Sequence, residues 1–168
     1  MSSKSLIIGA IVLVAILGLM LWGRPSAGAN NALNQTNQSG NSSLAAAETF
    51  FDFGTITMKA GNVERSFEMK NPTDADVKIV SIVTSCMCTT AYLETPSGAK
   101  GPFGMPGHGG AATRISETIK PGESRVVKVV FDPNAHGPAG VGLMERVVMI
   151  SDENGGTLQL QIKAMVTP

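Results

Sequence analysis

Short apolar runs, rich in valine, isoleucine and threonine, fill the C-terminal part of the chain. Residues 157–166 alternate, with Leu158 and Leu160 on one face and Gln159 and Gln161 on the other, as in a strand with one solvated face. Proline, glycine, asparagine and aspartate separate the runs, as turns require. No helical period is sustained there, so the pattern predicts an all-β, immunoglobulin-like antiparallel β-sandwich of about seven strands. The predicted strands are 50–57, 63–70, 77–84, 114–119, 125–131, 144–151 and 157–166.

Charge and motif content narrow the function classes. The 168-residue chain has 13 basic and 13 acidic residues and no basic tract. Nucleic-acid binding requires clustered lysine and arginine, so we expect no nucleic-acid partner. The chain has no C-x-x-C, G-x-S-x-G or H-E-x-x-H pattern, and the glycine-rich segment 101–110 lacks the lysine of a phosphate-binding loop. We therefore expect a protein that is not an enzyme.

An uncharged apolar run at residues 6–23 predicts a membrane-spanning helix, because its 18 residues are long enough to cross a bilayer. Trp22 lies near the end of the run, where an indole favours the membrane interface. We expect an uncleaved anchor in the inner (cytoplasmic) membrane that leaves residues 1–5 in the cytoplasm and the C-terminal domain in the periplasm or outside the cell. Ala27-Gly28-Ala29 also fits the cleavage pattern of a signal peptide, which is the alternative.

The segment at residues 24–47 has few bulky residues, and its only charge is at Arg24. Such a segment buries too little apolar surface to offset its conformational entropy. We therefore expect a flexible linker, rich in asparagine, serine, glycine and alanine, followed by a folded domain at 48–168.

The two cysteines, Cys86 and Cys88, flank Met87 in the segment SCMCTTA. In an extended strand they would lie about 6.6 Å apart along one face. A disulfide needs Cβ atoms about 3.8 Å apart, so a Cys86–Cys88 disulfide would require a local turn. Two thiolates on one face would also form half of a soft-metal site, for Cu(I) before Zn(II). Met105 and His108 are the candidate further ligands, whereas Met87 points to the opposite face.

Other interpretations of the cysteine pair stay open. Free cysteines often serve as small buried hydrophobic residues. A strained Cys86–Cys88 disulfide would be easily reduced, as in a thiol-redox protein. A catalytic thiol would need a base such as His108 or His136 held by a third group. We interpret His136 as a loop residue.

Several short motifs occur in an order that resembles a known family. They are FDFGTI, SFEMKN, SCMCT, PGE and FD, at 51–56, 66–71, 85–89, 121–123 and 131–132. This order resembles a bacterial family of Ig-like domains of unknown function, related to hydin-type and major-sperm-protein-like sandwiches. The chain departs from that pattern at Met87, where members usually have glycine, and at 93–114, which is longer than the usual connection. The resemblance implies an exported Ig-like module and supplies no established activity.

The tether and the predicted sandwich favour one function over two alternatives. We expect a membrane-anchored module outside the cytoplasm that contacts envelope proteins through an exposed sheet edge or loop. The alternatives are a Cu(I)-binding protein that uses Cys86, Cys88, Met105 and His108, and an envelope thiol-redox protein.

Overall fold

The computed structural model describes residues 42–108 and 111–168. The predicted cytoplasmic N-terminus at 1–5, the membrane span at 6–23 and most of the linker lie outside the described residues, so they stay predictions. Within the described ranges, no helix is long and apolar enough to cross a membrane.

The described residues form ten strands in two five-stranded sheets. One sheet has the strand order β1-β3-β8-β5-β6, and the other has the order β2-β10-β9-β4-β7. Side chains from both sheets form one hydrophobic core. The strands are β1 (Ala45–Ala46), β2 (Phe50–Thr57), β3 (Val63–Lys70), β4 (Val77–Thr84), β5 (Thr89–Thr95), β6 (Gly98–Phe103), β7 (Arg114–Ile119), β8 (Ser124–Phe131), β9 (Gly142–Asp152) and β10 (Thr157–Thr167).

The all-β sandwich prediction is confirmed, and each of the seven predicted strands is present. Four have the predicted bounds, β8 and β10 extend them by one residue at one end, and β9 extends them by two residues at its start and one at its end. Alternation in β10 is confirmed, since Leu158, Leu160 and Ile162 are buried. The expectation of an antiparallel sandwich requires a correction, because β10 pairs with β2 in parallel.

A hairpin formed by β5 and β6 occupies much of the segment predicted as a long connection. Its turn is closed by Thr95, whose hydroxyl donates to the carbonyl of Gly98 at 2.7 Å. Gly98 adopts a φ of 114°, which favours glycine. β6 (GAKGPF) is rich in glycine, and β5 (TTAYLET) has only Tyr92 and Leu93 as large apolar residues, so neither forms an apolar run and the sequence pattern does not predict these strands.

The domain begins before the predicted boundary at residue 48. Leu44 is buried in the core, and Ala45–Ala46 pair with the end of β3. The carboxylate of buried Asp152 accepts hydrogen bonds from the hydroxyl of Ser42 and the backbone N–H of Ser43. Residues 42–47 are therefore part of the sandwich, because one leucine and backbone pairing dock a stretch that is otherwise small and polar.

Asn71 joins two turns at one end of the domain, and its side chain is fully buried. Its amide nitrogen donates to the carbonyls of Ala75 at 2.7 Å and Ile119 at 2.8 Å. Its side-chain oxygen accepts from the backbone N–H and the hydroxyl of Thr73. The backbone N–H of Asn71 also donates to the carbonyl of Glu123 at 3.0 Å. Asn71 therefore ties the turn after β3 to the turn between β7 and β8.

Candidate functional site

The cysteine pair lies in the turn that leads from β4 in one sheet to β5 in the other. The backbone N–H of Thr89 donates to the carbonyl of Cys86 at 3.1 Å, which closes this turn. The hydroxyl of buried Thr84 lies 2.9 Å from the carbonyls of both Cys86 and Thr89. The expectation that both cysteines project from one extended strand is therefore wrong, because side-chain bonding by Thr84 favours a turn there.

The turn brings the two sulfurs together and places a histidine beside them. The Sγ atoms of Cys86 and Cys88 and a ring nitrogen of His136 all lie within 4.8 Å of one another. Cys86 Sγ is 3.1 Å from His136 Nε2, and it accepts the backbone N–H of Cys88 at 3.3 Å. Both cysteines are free thiols, with Cys86 half-buried and Cys88 buried. Two thiols and one imidazole therefore converge at one end of the sandwich.

The loop after β8 holds His136 beside Cys86. The backbone N–H of Asp132 donates to the carbonyl of Cys88 at 2.9 Å, which joins this loop to the cysteine turn. The Asp132 carboxylate accepts the N–H of Asn134 at 2.8 Å, and the Asn134 side chain donates to the carbonyl of Met58 at 2.7 Å. These bonds fix the loop from both sides, so His136 is held next to the sulfurs.

Arg146 on β9 supplies a positive charge to the same cluster. Its Nε atom donates to Cys88 Sγ at 3.0 Å. Its two other guanidinium nitrogens contact the carbonyl of Glu145 at 2.8 Å and the sulfur of Met144 at 3.0 Å. The guanidinium is therefore oriented by three contacts and directs one N–H at a thiol.

These contacts give the two thiols different pKa values. Burial acts to raise the pKa of Cys86, but hydrogen bonds from Cys88 and His136 and the charge of Arg146 outweigh it and lower the pKa to about 7. Burial and the hydrogen bond to Cys86 raise the pKa of Cys88, and Arg146 opposes that rise only in part. Burial alone would lower the pKa of Arg146, but its hydrogen bonds and charge interactions with Cys88 and Cys86 are larger together, so its pKa is raised. Cys86 is therefore the thiol that ionises first as the pH rises.

Alkylation of the metal-free protein should show this difference. With a pKa of about 7, Cys86 is half thiolate at neutral pH, whereas a thiol at the ordinary 9.0 would be about 1% thiolate. We expect iodoacetamide labelling of Cys86 to rise with pH around a midpoint near 7, with Cys88 labelled only at higher pH. Peptide mass spectrometry after timed labelling measures both residues. A Cys86 midpoint near 9 would contradict the assignment, and His136→Ala should move the midpoint upward.

The structure places the predicted ligands in two neighbouring groups. Cys86 and Cys88 lie beside His136, which is in a loop as expected but was not among the predicted ligands. Met105 and His108 instead line a pocket of about 240 Å³ together with Met87. Sequence spacing could not identify His136, because it contacts Cys86 across 50 residues of sequence. The one available signal was that His108 and His136 are the only histidines of the chain.

The cluster of Cys86, Cys88 and His136 fits a soft-metal ion. A tetrahedral zinc site with Zn–S distances of about 2.3 Å and Zn–N distances of about 2.0 Å places its ligand atoms roughly 3.5–3.8 Å apart. The three donor atoms all lie within 4.8 Å of one another, so small side-chain movements would reach such spacing. Thiolate and imidazole are the ligands that Cu(I) and Zn(II) prefer, whereas Ca²⁺ and Mg²⁺ take oxygen ligands.

Comparison with known proteins supports the fold and supplies no activity. No curated protein sequence matches the chain. A protein of unknown function from Porphyromonas gingivalis W83 matches with a TM-score of 0.52 and 16% identity, over 73% of this chain and 46% of that protein. The chain thus spans less than half of the length of that protein. The VesB protease of Vibrio cholerae has a TM-score of 0.48 and 13% identity, over 77% of this chain and 33% of the protease.

A further structure, the human CEP192 ASH/PapD-like domain 7, has a TM-score of 0.41 and 14% identity, over 86% of this chain and 98% of that domain. In sequence, residues 44–104 match the family described as "Protein of unknown function (DUF1573)". The matched segment contains both cysteines and excludes His136 and Arg146. The chain is therefore similar, over that segment, to a family of unknown function, and its fold is a two-sheet β-sandwich.

Proposed function

We propose that this domain binds one Cu(I) ion through Cys86, Cys88 and His136. The observation that carries the proposal is the convergence of three soft donor atoms within 4.8 Å of one another. Three donors suffice for Cu(I), which favours thiolate ligands. A structural Zn(II) site almost always has four ligands, so zinc would need a further donor here.

Charge balance also favours Cu(I) over Zn(II). Two thiolates and a monovalent copper ion sum to one negative charge, whereas the same ligands around Zn(II) sum to zero. Arg146, which donates to Cys88 Sγ at 3.0 Å, offsets the negative charge of the copper complex. Groups that hydrogen-bond to metal ligands orient them and tune the affinity. Arg146 therefore suits the copper complex better than the neutral zinc complex.

The role that we propose for this site is binding, without catalysis. A nucleophilic cysteine requires a histidine base that a third group orients. Within the described residues, the His136 ring hydrogen-bonds to Cys86, and no third side chain orients the ring by a hydrogen bond. The Cys86–His136 pair is thus better suited to ligating an ion than to activating a nucleophile.

The location and the partners are also part of the proposal. The uncharged run at 6–23 would anchor the chain in the inner membrane and hold the domain outside the cytoplasm. There the domain would exchange copper with other envelope proteins that contact its loops or sheet edges. Support for this location comes from the sequence alone.

Copper binding is tested with the full chain in detergent, under reducing conditions and in competition with a chromogenic Cu(I) chelator. We expect the wild-type chain to retain one Cu(I) against the chelator, and the Cys86→Ser/Cys88→Ser variant, which lacks both thiolates, to retain none at the same chelator concentration. Circular dichroism of both proteins checks that the variant is folded. Equal copper retention by the two proteins would refute the proposal. A wild-type chain that retains no copper, but whose two thiols oxidise reversibly in glutathione buffers, would favour the thiol-redox alternative.

A further inference from the structure

A second group of soft ligands lies next to the Cys86–Cys88–His136 site. Met87, Met105 and His108 line one surface pocket of about 240 Å³, together with Thr89 and Thr90. Met87 occupies the position between the two cysteines, and the residue is 52% exposed. The two methionines and the histidine have no part in the site proposed above.

Backbone hydrogen bonds hold the walls of this pocket together. The N–H of His108 donates to the carbonyl of Met105 at 3.2 Å, which closes a turn that places these two residues on one short loop. The carbonyl of Gly104 accepts the N–H of Thr84 at 3.2 Å, so the loop begins against the last residue of β4. Thr84 also bonds to the turn that carries Met87. The loop with Met105 and His108 is therefore attached beside the cysteine turn.

We propose that Met87, Met105 and His108 form a second, weaker Cu(I) site. Thioether sulfur binds Cu(I) and is a poor ligand for Zn(II), Ca²⁺ and Mg²⁺. The described residues that line the pocket include no carboxylate, the ligand that Ca²⁺ and Mg²⁺ favour, so a soft ion matches the lining better. Two neutral thioethers and one imidazole carry no negative charge, so they bind Cu(I) less tightly than two thiolates do.

The position of Met87 assigns a role to this second site, which is to load Cu(I) into the Cys86–Cys88–His136 site. This role rests on the function proposed above. Met87 lies between the two cysteines in the sequence, and consecutive Cα atoms are about 3.8 Å apart, so the residue that would release the ion is the direct chain neighbour of both residues that would receive it. Transfer replaces the thioether ligands and the imidazole of His108 by two thiolates and the imidazole of His136. Copper stays Cu(I) throughout, and the thiol protons pass to solvent.

The second site is tested first in the full-length Cys86→Ser/Cys88→Ser variant, where the stronger ligands are absent. Ag(I) serves as the probe because it is a soft monovalent ion that does not change oxidation state. We expect Ag(I) to shift the methyl NMR signals of Met87 and Met105 with a stoichiometry of one. Adding Met105→Leu and His108→Ala should abolish the shifts, whereas adding Met165→Leu, at an exposed methionine on β10, should leave them unchanged. Absence of Ag(I)-dependent shifts would overturn the second site, whatever the cysteine site does.

The loading role is tested with intact cysteines, by stopped-flow transfer of Cu(I) from a weak chelator. We expect Met105→Leu/His108→Ala to slow the loading of the cysteine site by about tenfold. This is the low end of the roughly 10–100-fold losses in metal affinity or activity seen when groups around a metal site are removed. The equilibrium affinity of the cysteine site should stay within about twofold of wild type, because its own ligands are intact. An unchanged loading rate would overturn the loading role. A wild-type chain that takes up no copper through its cysteines would refute the proposed function while leaving the Ag(I) result to decide the second site.

Discussion

Replacing His136 with alanine is expected to weaken Cu(I) binding by about 100-fold, the upper end of the losses seen when groups that only support metal ligands are removed. His136 Nε2 lies 3.1 Å from Cys86 Sγ, and the loop that carries it is hydrogen-bonded to Cys88 through Asp132. The variant would keep two thiolates and lose the one neutral donor. Competition with a chromogenic chelator, on the full chain in detergent, measures the affinity.

The matched control is His108→Ala, which removes the other histidine of the chain. His108 is outside the group of donor atoms formed by Cys86, Cys88 and His136. We therefore expect His108→Ala to leave the affinity of that group within about twofold of wild type. Equal losses for the two histidines, or a larger loss for His108, would contradict the ligand assignment.

Replacing Asn71 with alanine is expected to lower the free energy of unfolding by about 3 kcal/mol, since each buried polar group left unpaired costs about 1–3 kcal/mol. Truncation removes the Asn71 donor from the carbonyls of Ala75 and Ile119, and the Ala75 carbonyl keeps only the hydroxyl of Thr73 at 3.0 Å. It also removes the acceptor of the Thr73 hydroxyl and N–H. Urea denaturation of the full chain in detergent, followed by circular dichroism, measures the loss.

Asn62→Ala is the control for this loss of stability. Asn62 is exposed and precedes β3, whereas Asn71 follows the same strand and is fully buried. Exposed substitutions usually change stability by no more than about 0.5 kcal/mol. If the two variants lose similar amounts, the buried hydrogen bonds of Asn71 do not contribute as the structure indicates.

Much of the fold follows from the sequence because burial and periodicity agree. The run at 157–166 alternates in hydrophobicity, and its apolar residues line the core in β10. Hydrophobic periodicity does not encode strand neighbours, which is why the parallel pairing of β10 with β2 was not foreseen. Hydrophobic periodicity also fails to predict β6, because its sequence GAKGPF has no apolar alternation. Backbone pairing with β5 holds this strand in the sheet.

The candidate site was predicted only in part. The pair Cys86 and Cys88 was evident from the sequence, since no other cysteine is present. Its geometry was not, because the hydroxyl of Thr84 and the hydrogen bond from Thr89 to Cys86 form a turn where the β-branched run suggested an extended strand. Arg146 was missed as well, since a lone arginine within a strand usually points to solvent and here it donates to Cys88.

The hydrogen bonds of the cysteine turn have a consequence for the cohesion of the two sheets. The N–H of Ser85 donates to Val147 on β9, and the carbonyl of Cys88 accepts the N–H of Asp132, which directly follows β8. Because β9 and β8 belong to different sheets, the turn bridges both layers at one end of the sandwich. An ion bound by both this turn and the His136 loop would add a further link between them at that end of the sandwich. If the proposed copper site forms, gain or loss of the ion would tighten or loosen the two sheets at that end and change the surface there.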